Sequence, residues 1–214
     1  LSILFFVALL SVFPAYPTNA ASDSVSVQVI SAGCAALPVQ TNLFACYQAD
    51  DYVSATKSWP DSSGNNRHVT NELFTSTAPT LETTTVNTNG VTLSFKTLRG
   101  STLQGLKFPT EVLPETYTLF HIARYNGTEG RIFDGVTRNW LSGFWQSNAG
   151  VAFHNGWLTP VNDIHTTNWV LSSDQRDLYR SNGQQRSSSN GGNVADRISI
   201  NFGLAENSSW EVAE

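Results

Sequence analysis

The chain has 214 residues and carries 12 Lys+Arg against 17 Asp+Glu, a formal net charge of −5. At 40% hydrophobic, 14% charged and 11% aromatic it is too apolar and too weakly charged to be disordered. An acidic chain without a Lys/Arg stripe cannot neutralise a run of phosphates, so no nucleic-acid partner is expected, and its length fits one domain.

Residues 1–20 hold an apolar run from Ile3 to Val12, then Pro14 and Pro17, with small residues at Thr18, Ala20 and Ala21. This is the h-region and cleavage zone of a secretory signal peptide, too short for a spanning helix, which needs ~20 apolar residues. A retained N-terminal anchor is the rival reading, and the only expected route to a membrane. The expectation is a secreted protein with residues 21–214 as a single domain. No Met occurs anywhere, so the start reads as a fragment. The end reads as cut, because Ser209–Glu214 opens an alternation with no turn after it.

Cys34 and Cys46 lie twelve apart in a chain read as exported, where a disulfide is the default and buried free thiols the rival. Asn126-Gly-Thr and Asn207-Ser-Ser are sequons for N-glycosylation.

Asn-Gly or Asp-Gly steps recur at Asn89, Asn126, Asp134, Asn155, Asn182 and Asn190, supplying the positive φ of tight turns. Short runs of period two lie between them. Val25, Val27 and Val29 share one face, as do Val91, Leu93 and Phe95, and Ile198, Ile200 and Phe202. Thr116–Tyr125 is apolar on both faces and reads as an inner strand. Asp177–Arg186 reads as strand, turn, strand. Leu73–Asn89 reads as a Thr-rich loop joined to an edge strand with exposed threonines. No segment has helical spacing with a cap at each end. The prediction is an all-β fold of two stacked antiparallel sheets, with a closed barrel as the alternative.

Two segments go further. Trp59-Pro-Asp-Ser-Ser-Gly-Asn65 resembles a stretch near the start of laminin-G-like domains of the concanavalin A-like lectin/glucanase superfamily. Asp61 suits an Asx turn and Trp59 a hydrophobic plug. The block Thr118–Thr159, with Arg124–Gly127, Arg131–Gly135, Asn139–Trp145 and His154–Thr159, looks like that superfamily's central strands, together with Leu178–Gly183. The resemblance spans Ala45 to Glu214. It implies a jelly-roll sandwich, and it implies that the strand opened at Trp210 normally runs on, so an unpaired sheet edge is expected here.

The resemblance raises hydrolysis, carbohydrate binding and adhesion. Laminarinase-like enzymes carry carboxylates at i, i+2 and i+4 on one strand face. No Asp or Glu here has another at i+2, and no nucleophile-elbow, zinc or phosphate-loop motif occurs. The four histidines, at 68, 121, 154 and 165, lack ligand spacing, and His121 reads as a core residue. Catalytic acids from separate strands keep a glycoside hydrolase as an alternative. Calcium through Asp50, Asp51, Asp134 and Asp163 is a possible cofactor implied by the resemblance, with Asp50-Asp51 reading first as a solvated pair.

Binding is favoured. Trp140, Trp145 and Trp157 can cover a sugar's apolar face, with Asn139, His154 and Asn155 taking hydroxyls. The competing reading is that these indoles fill the space between sheets; Trp145 and Trp157, flanked by glycines, are the best placed to reach the surface. The expected partner is an extracellular glycan or glycoprotein. The alternative is an adhesive or structural module with no sugar site.

Overall fold

The computed structural model describes residues 2–5, 33–37, 40–70, 77–88, 90–110, 112–161, 169–192, 197–203 and 207–213. The alternation at Val25–Val29, most of the signal segment, Asp163 and His165 lie outside them. The strands are β1 (Ser2–Phe5), β2 (Leu43–Cys46), β3 (Ser58–Trp59), β4 (Val69–Thr70), β5 (Thr80–Thr88), β6 (Val91–Gly100), β7 (Leu106–Lys107) and β8 (Tyr117–Tyr125). They continue with β9 (Phe133–Gly135), β10 (Trp140–Trp145), β11 (Asn148–His154), β12 (Val170–Asp174), β13 (Tyr179–Ser181), β14 (Gln184–Gln185), β15 (Ile198–Ile200) and β16 (Trp210–Ala213). Two three-residue 3₁₀ turns, Cys34–Ala36 and Ala49–Asp51, are the helical content of the described residues.

Two sheets carry the fold. The larger runs β14-β13-β12-β8-β16-β6-β5, with β1 and β2 joined beside β8. The smaller runs β11-β10-β9-β15-β7. A minor β3-β4 pair stands apart. The two sheets enclose one apolar core of Leu98, Leu119, Ala123, Phe133, Trp140, Phe144, Val170, Ile198, Ile200, Trp210 and Val212 among others. This is the predicted all-β sandwich. Its pairing is antiparallel except at β1, which runs parallel to both β2 and β8.

Local chemistry explains several elements. Asn182 and Gly183, at φ +48° and +79°, make the two-residue turn that joins β13 to β14. β8 lies between β12 on one edge and β16 on the other, the predicted inner strand. Cys34 and Cys46 form the expected disulfide, with Cα atoms 6.0 Å apart. Trp59 is sealed in the core and donates its indole N–H to the Gln48 carbonyl at 2.6 Å. Asp61 accepts the backbone N–H of Cys46, Ser63 and Arg67 at 2.9–3.0 Å. The Trp59–Asn65 motif is therefore a loop organiser that ties itself to β2.

Two expectations are corrected. Asp134-Gly135 is no turn: both residues are buried inside β9. Thr84 is buried rather than exposed, because its hydroxyl donates to Glu211. The strand at Trp210 is an inner one: β16 pairs with β8 and, over Thr97–Gly100, with β6. Its alternation is the expected one, with Trp210 and Val212 toward the core and Glu211 on the other side, where it too is buried. Trp210 covers Gly100, where any Cβ would collide with the indole ring.

Candidate functional site

The expected binding residues cluster around the β10–β11 hairpin. Strand alternation turns Trp140, Ser142 and Phe144 toward the core and Trp145 away from it. On β11 an extra residue, Gly150 at φ +83°, shifts the register opposite Gly143/Phe144. Beyond this bulge Phe153 turns outward and His154 inward.

Trp145 and Trp157 therefore meet on the outer side of the small sheet. Their rings are 5.0 Å apart at 65°, edge to face. Phe153 joins them, 5.1 Å from Trp157 at 76°. All three are half-buried. The turn Asn155-Gly156 precedes Trp157, with Asn155 exposed at φ +59°. Asn139 is exposed beside it: its backbone carbonyl accepts the Asn155 N–H at 2.9 Å, and its Oδ1 accepts from Arg131 Nη1 at 2.9 Å. Of the six expected residues, Trp145 and Trp157 thus meet ring to ring, and Asn139 and Asn155 are joined by a backbone bond at the turn before Trp157.

Trp140 and His154 are corrections. Neither has any exposed surface. Trp140 stacks on His154 at 5.6 Å and 14° and donates to the Tyr117 hydroxyl at 3.4 Å. His154 is bound at both ring nitrogens. Nδ1 faces the Arg176 carbonyl at 2.9 Å, and Nε2 faces the Asp174 carboxylate at 3.1 Å. A carbonyl only accepts, so Nδ1 carries a proton, and a second proton lies between Nε2 and Asp174. Burial alone would push the imidazole down, but Asp174 and the Arg176 carbonyl outweigh it and its pKa is raised. Tyr117 donates to the same carboxylate at 3.1 Å. This is an internal clamp between β11 and β12. It fixes the base of the turn that carries Trp157.

His121 is the core residue expected. Its Nε2 lies 2.9 Å from the Ser142 hydroxyl, and burial lowers its pKa to about 3. It is neutral at physiological pH and touches no surface.

The calcium candidates divide. Asp134 is buried on β9, receives the Ser199 hydroxyl, and is pushed up to about 7 by burial, against the pull of Ser199 and Arg131. Asp51 accepts from Gln48 at 2.9 Å and Ser62 at 2.5 Å, beside exposed Asp50. Among the described residues no group of three His, Cys, Asp or Glu side chains could hold a metal ion. Of the sequons, Asn126 is exposed, whereas the Asn207 amide nitrogen donates to the Thr102 carbonyl at 3.0 Å.

Sequence reasoning missed a second cluster, on the outer side of the large sheet. Register places Arg99 of β6, Glu211 of β16 and Arg124 of β8 in one cross-strand row. Glu211 Oε1 accepts the hydroxyls of Thr84 and of Thr97, the latter at 2.8 Å. Its Oε2 accepts Arg124 Nε at 2.8 Å and Nη2 at 2.6 Å, and lies 3.4 Å from Arg99 Nη2. Burial would raise the Glu211 pKa, but the Thr84, Thr97 and Arg124 bonds prevail and lower it. Arg124 lies 4.5 Å over the Trp169 ring, and Trp169 packs on Phe95 at 5.6 Å. The only hint in the sequence was a lone Glu between the apolar residues Trp210 and Val212.

No known protein family, curated protein or solved structure matches the chain.

Proposed function

We propose that this chain is a secreted, non-catalytic recognition domain for extracellular glycan, of the laminin-G-like kind within the concanavalin A-like jelly rolls. The single observation that carries the reading is the half-buried indole pair Trp145–Trp157 on the outer side of the small sheet. The indoles of Trp59, Trp140 and Trp210, by contrast, are sealed. These two keep accessible ring surface, and Phe153 braces Trp157 from the side. A pyranose offers apolar C–H groups to such a surface and hydroxyls to its rim. Asn155 and Asn139 supply that rim. The clamp of His154, Asp174 and Tyr117 beneath the turn holds Trp157 before ligand arrives, which lowers the ordering cost of binding. The disulfide and the exposed sequon at Asn126 support an extracellular setting, as does the signal-like composition of residues 1–20, although Ser2–Phe5 pairs as β1 with β2 and β8 and so joins the sheet expected to begin after residue 20.

The test is a glycan array probed with the intact chain, with each hit titrated against Trp145→Ala and Trp157→Ala. Each variant is expected to weaken binding tenfold or more while the thermal transition stays within a few degrees. Binding that survives both substitutions unchanged removes the indole pair from the site. An array with no hits favours the adhesive or structural reading.

A further inference from the structure

Asn-Gly steps recur along this chain, and the fold gives them different surroundings. At Asn182 the side-chain oxygen accepts the Leu171 N–H at 3.0 Å, and the backbone N–H donates to the Leu171 carbonyl at 2.8 Å, so that turn is fastened to β12. After Asn190, Gly191 is pressed against the Arg176 carbonyl, 2.4 Å from where a Cβ would stand. After Asn126, Gly127 lies at φ +137° with the same position 3.1 Å from the Ser209 side chain.

Asn155-Gly156 differs from all three. Asn155 is exposed in the left-handed region at φ +59°. Among the described residues neither its side-chain amide nor the Gly156 N–H has a hydrogen-bond partner. Nothing lies within 4 Å of the position that a Cβ on Gly156 would take. The ends of the turn are held, by Asn155 N–H to the Asn139 carbonyl at 2.9 Å, by His154 N–H to the Gly156 carbonyl at 2.9 Å, and by Gly192 N–H to the His154 carbonyl at 2.7 Å. These bonds leave the Asn155 amide and the Gly156 nitrogen unengaged. Those two groups are one ring closure apart, and with no Cβ on Gly156 the nitrogen is open to the amide carbon.

We propose that Asn155 is a site of spontaneous deamidation, with water as the co-reactant. The Gly156 backbone nitrogen, having given its proton to solvent base, forms a bond to the side-chain carbonyl carbon of Asn155. The carbon–nitrogen bond of the side-chain amide breaks, and the –NH₂ takes a proton and leaves as ammonia. Water then adds to either carbonyl of the five-membered imide and opens it, giving aspartate or isoaspartate. Aspartate places a carboxylate, ionised at neutral pH, in the turn. Isoaspartate does so too and routes the main chain through the side-chain methylene, lengthening the link between His154 and Trp157 by one carbon. Either product makes the chain one unit more negative than −5. The chemistry belongs to the turn and holds whether or not the indole pair takes a glycan.

The experiment incubates the full chain at about 37 °C, at about pH 6 and about pH 8.5, and samples it over weeks. Peptide mass spectrometry reads conversion as a gain of about one dalton at each Asn-Gly step, and isoaspartate methyltransferase marks the isoaspartate. Asn155 is expected to convert about fivefold or more faster than Asn182, and faster at the higher pH, because the attacking nitrogen must lose its proton. In concentrated urea the two should convert alike. Gly156→Ala adds a methyl group beside the attacking nitrogen, in open space and outside the left-handed region, so the fold accepts it. It is expected to slow conversion at Asn155 tenfold or more, with thermal melting to show that the variant is folded. The comparison with Asn182 needs no variant and stands if Gly156→Ala fails to fold. The proposal is overturned if Asn155 stays intact at the higher pH, if it converts no faster than Asn182 in the folded chain, or if folded Gly156→Ala converts at the parent rate. A ratio of Asn155 to Asn182 that persists unchanged in urea also overturns it, because the difference would then owe nothing to the fold.

Discussion

Glu211→Gln is the substitution with the most calculable consequence. The carboxylate is fully buried and accepts two hydroxyls and two guanidiniums. The amide keeps one acceptor for Thr84 and Thr97 but turns its –NH₂ toward Arg124, donor against donor. Each lost charge-assisted bond is worth about 1.5–3 kcal/mol, and breaking a fully buried pair costs about 3–5 kcal/mol. The Arg124 and Arg99 side chains are 23% and 41% exposed, so water relieves part of the loss. The expected cost is at the low end, about 3 kcal/mol. With a urea m-value of about 2 kcal/mol/M, the midpoint falls by about 1.5 M at unchanged m. The pH dependence follows from the sign of the shift. Glu211 is held below its ordinary value, so its contribution is complete above the unfolded carboxyl pKa of about 4.3 and is lost as pH falls through the lower folded value. The gap between wild type and variant should be constant from pH 5 to 8 and should close toward pH 3. A gap under about 1 kcal/mol at pH 7, or one that persists undiminished at pH 3, would refute the account of this cluster.

Four further outcomes are expected. Reducing Cys34–Cys46 should cost about 3 kcal/mol, the chain-entropy value for a loop of this length, read from denaturant midpoints with and without reductant. Ser147→Gly should raise stability by about 1 kcal/mol, seen as a rise of about 2–4 °C in Tm, because Ser147 sits at φ +66° in the β10–β11 turn. Asp134→Asn should gain stability relative to wild type as pH rises from 4 to 8; burial raises this carboxyl to about 7, so its contribution is present at acid pH and lost through that window. His154→Gln should remove an alkaline loss of stability: the raised imidazole contributes fully below about pH 6.5 and progressively less as pH climbs through its folded value. Urea midpoints between pH 4 and 9 measure both pH effects, and parallel profiles for wild type and variant would contradict them.

The sequence made local features legible and non-local ones not. Asn182-Gly183 could be read because two positive φ angles in a two-residue turn demand such residues, and β8 because both its faces are apolar. Asp134-Gly135 misled for the same reason: the dipeptide favours a turn, but buried Ile132 and Phe133 hold the chain in the sheet. The β10–β11 turn was invisible, since Gln146 and Ser147 adopt positive φ without the usual composition. There the register and the Asn148 amide, which donates to the Trp145 and Gln146 carbonyls, hold a conformation the residues themselves do not favour.

The division of the candidate site turns on one residue. Ala149 faces the core, so strict alternation along β11 would send Phe153 inward and His154 outward. The bulge at Gly150 inverts both. It delivers Phe153 to the indole pair and buries His154 against Asp174. A histidine beside asparagines and a tryptophan therefore reads as a ligand contact in one dimension and becomes the fastening under that surface in three. Glu211 makes the complementary case. Nothing local marks it, because its partners stand 87 to 127 positions away in sequence. Register alone brings Arg99 and Arg124 to its two sides, so that one buried carboxylate holds three strands of the large sheet together.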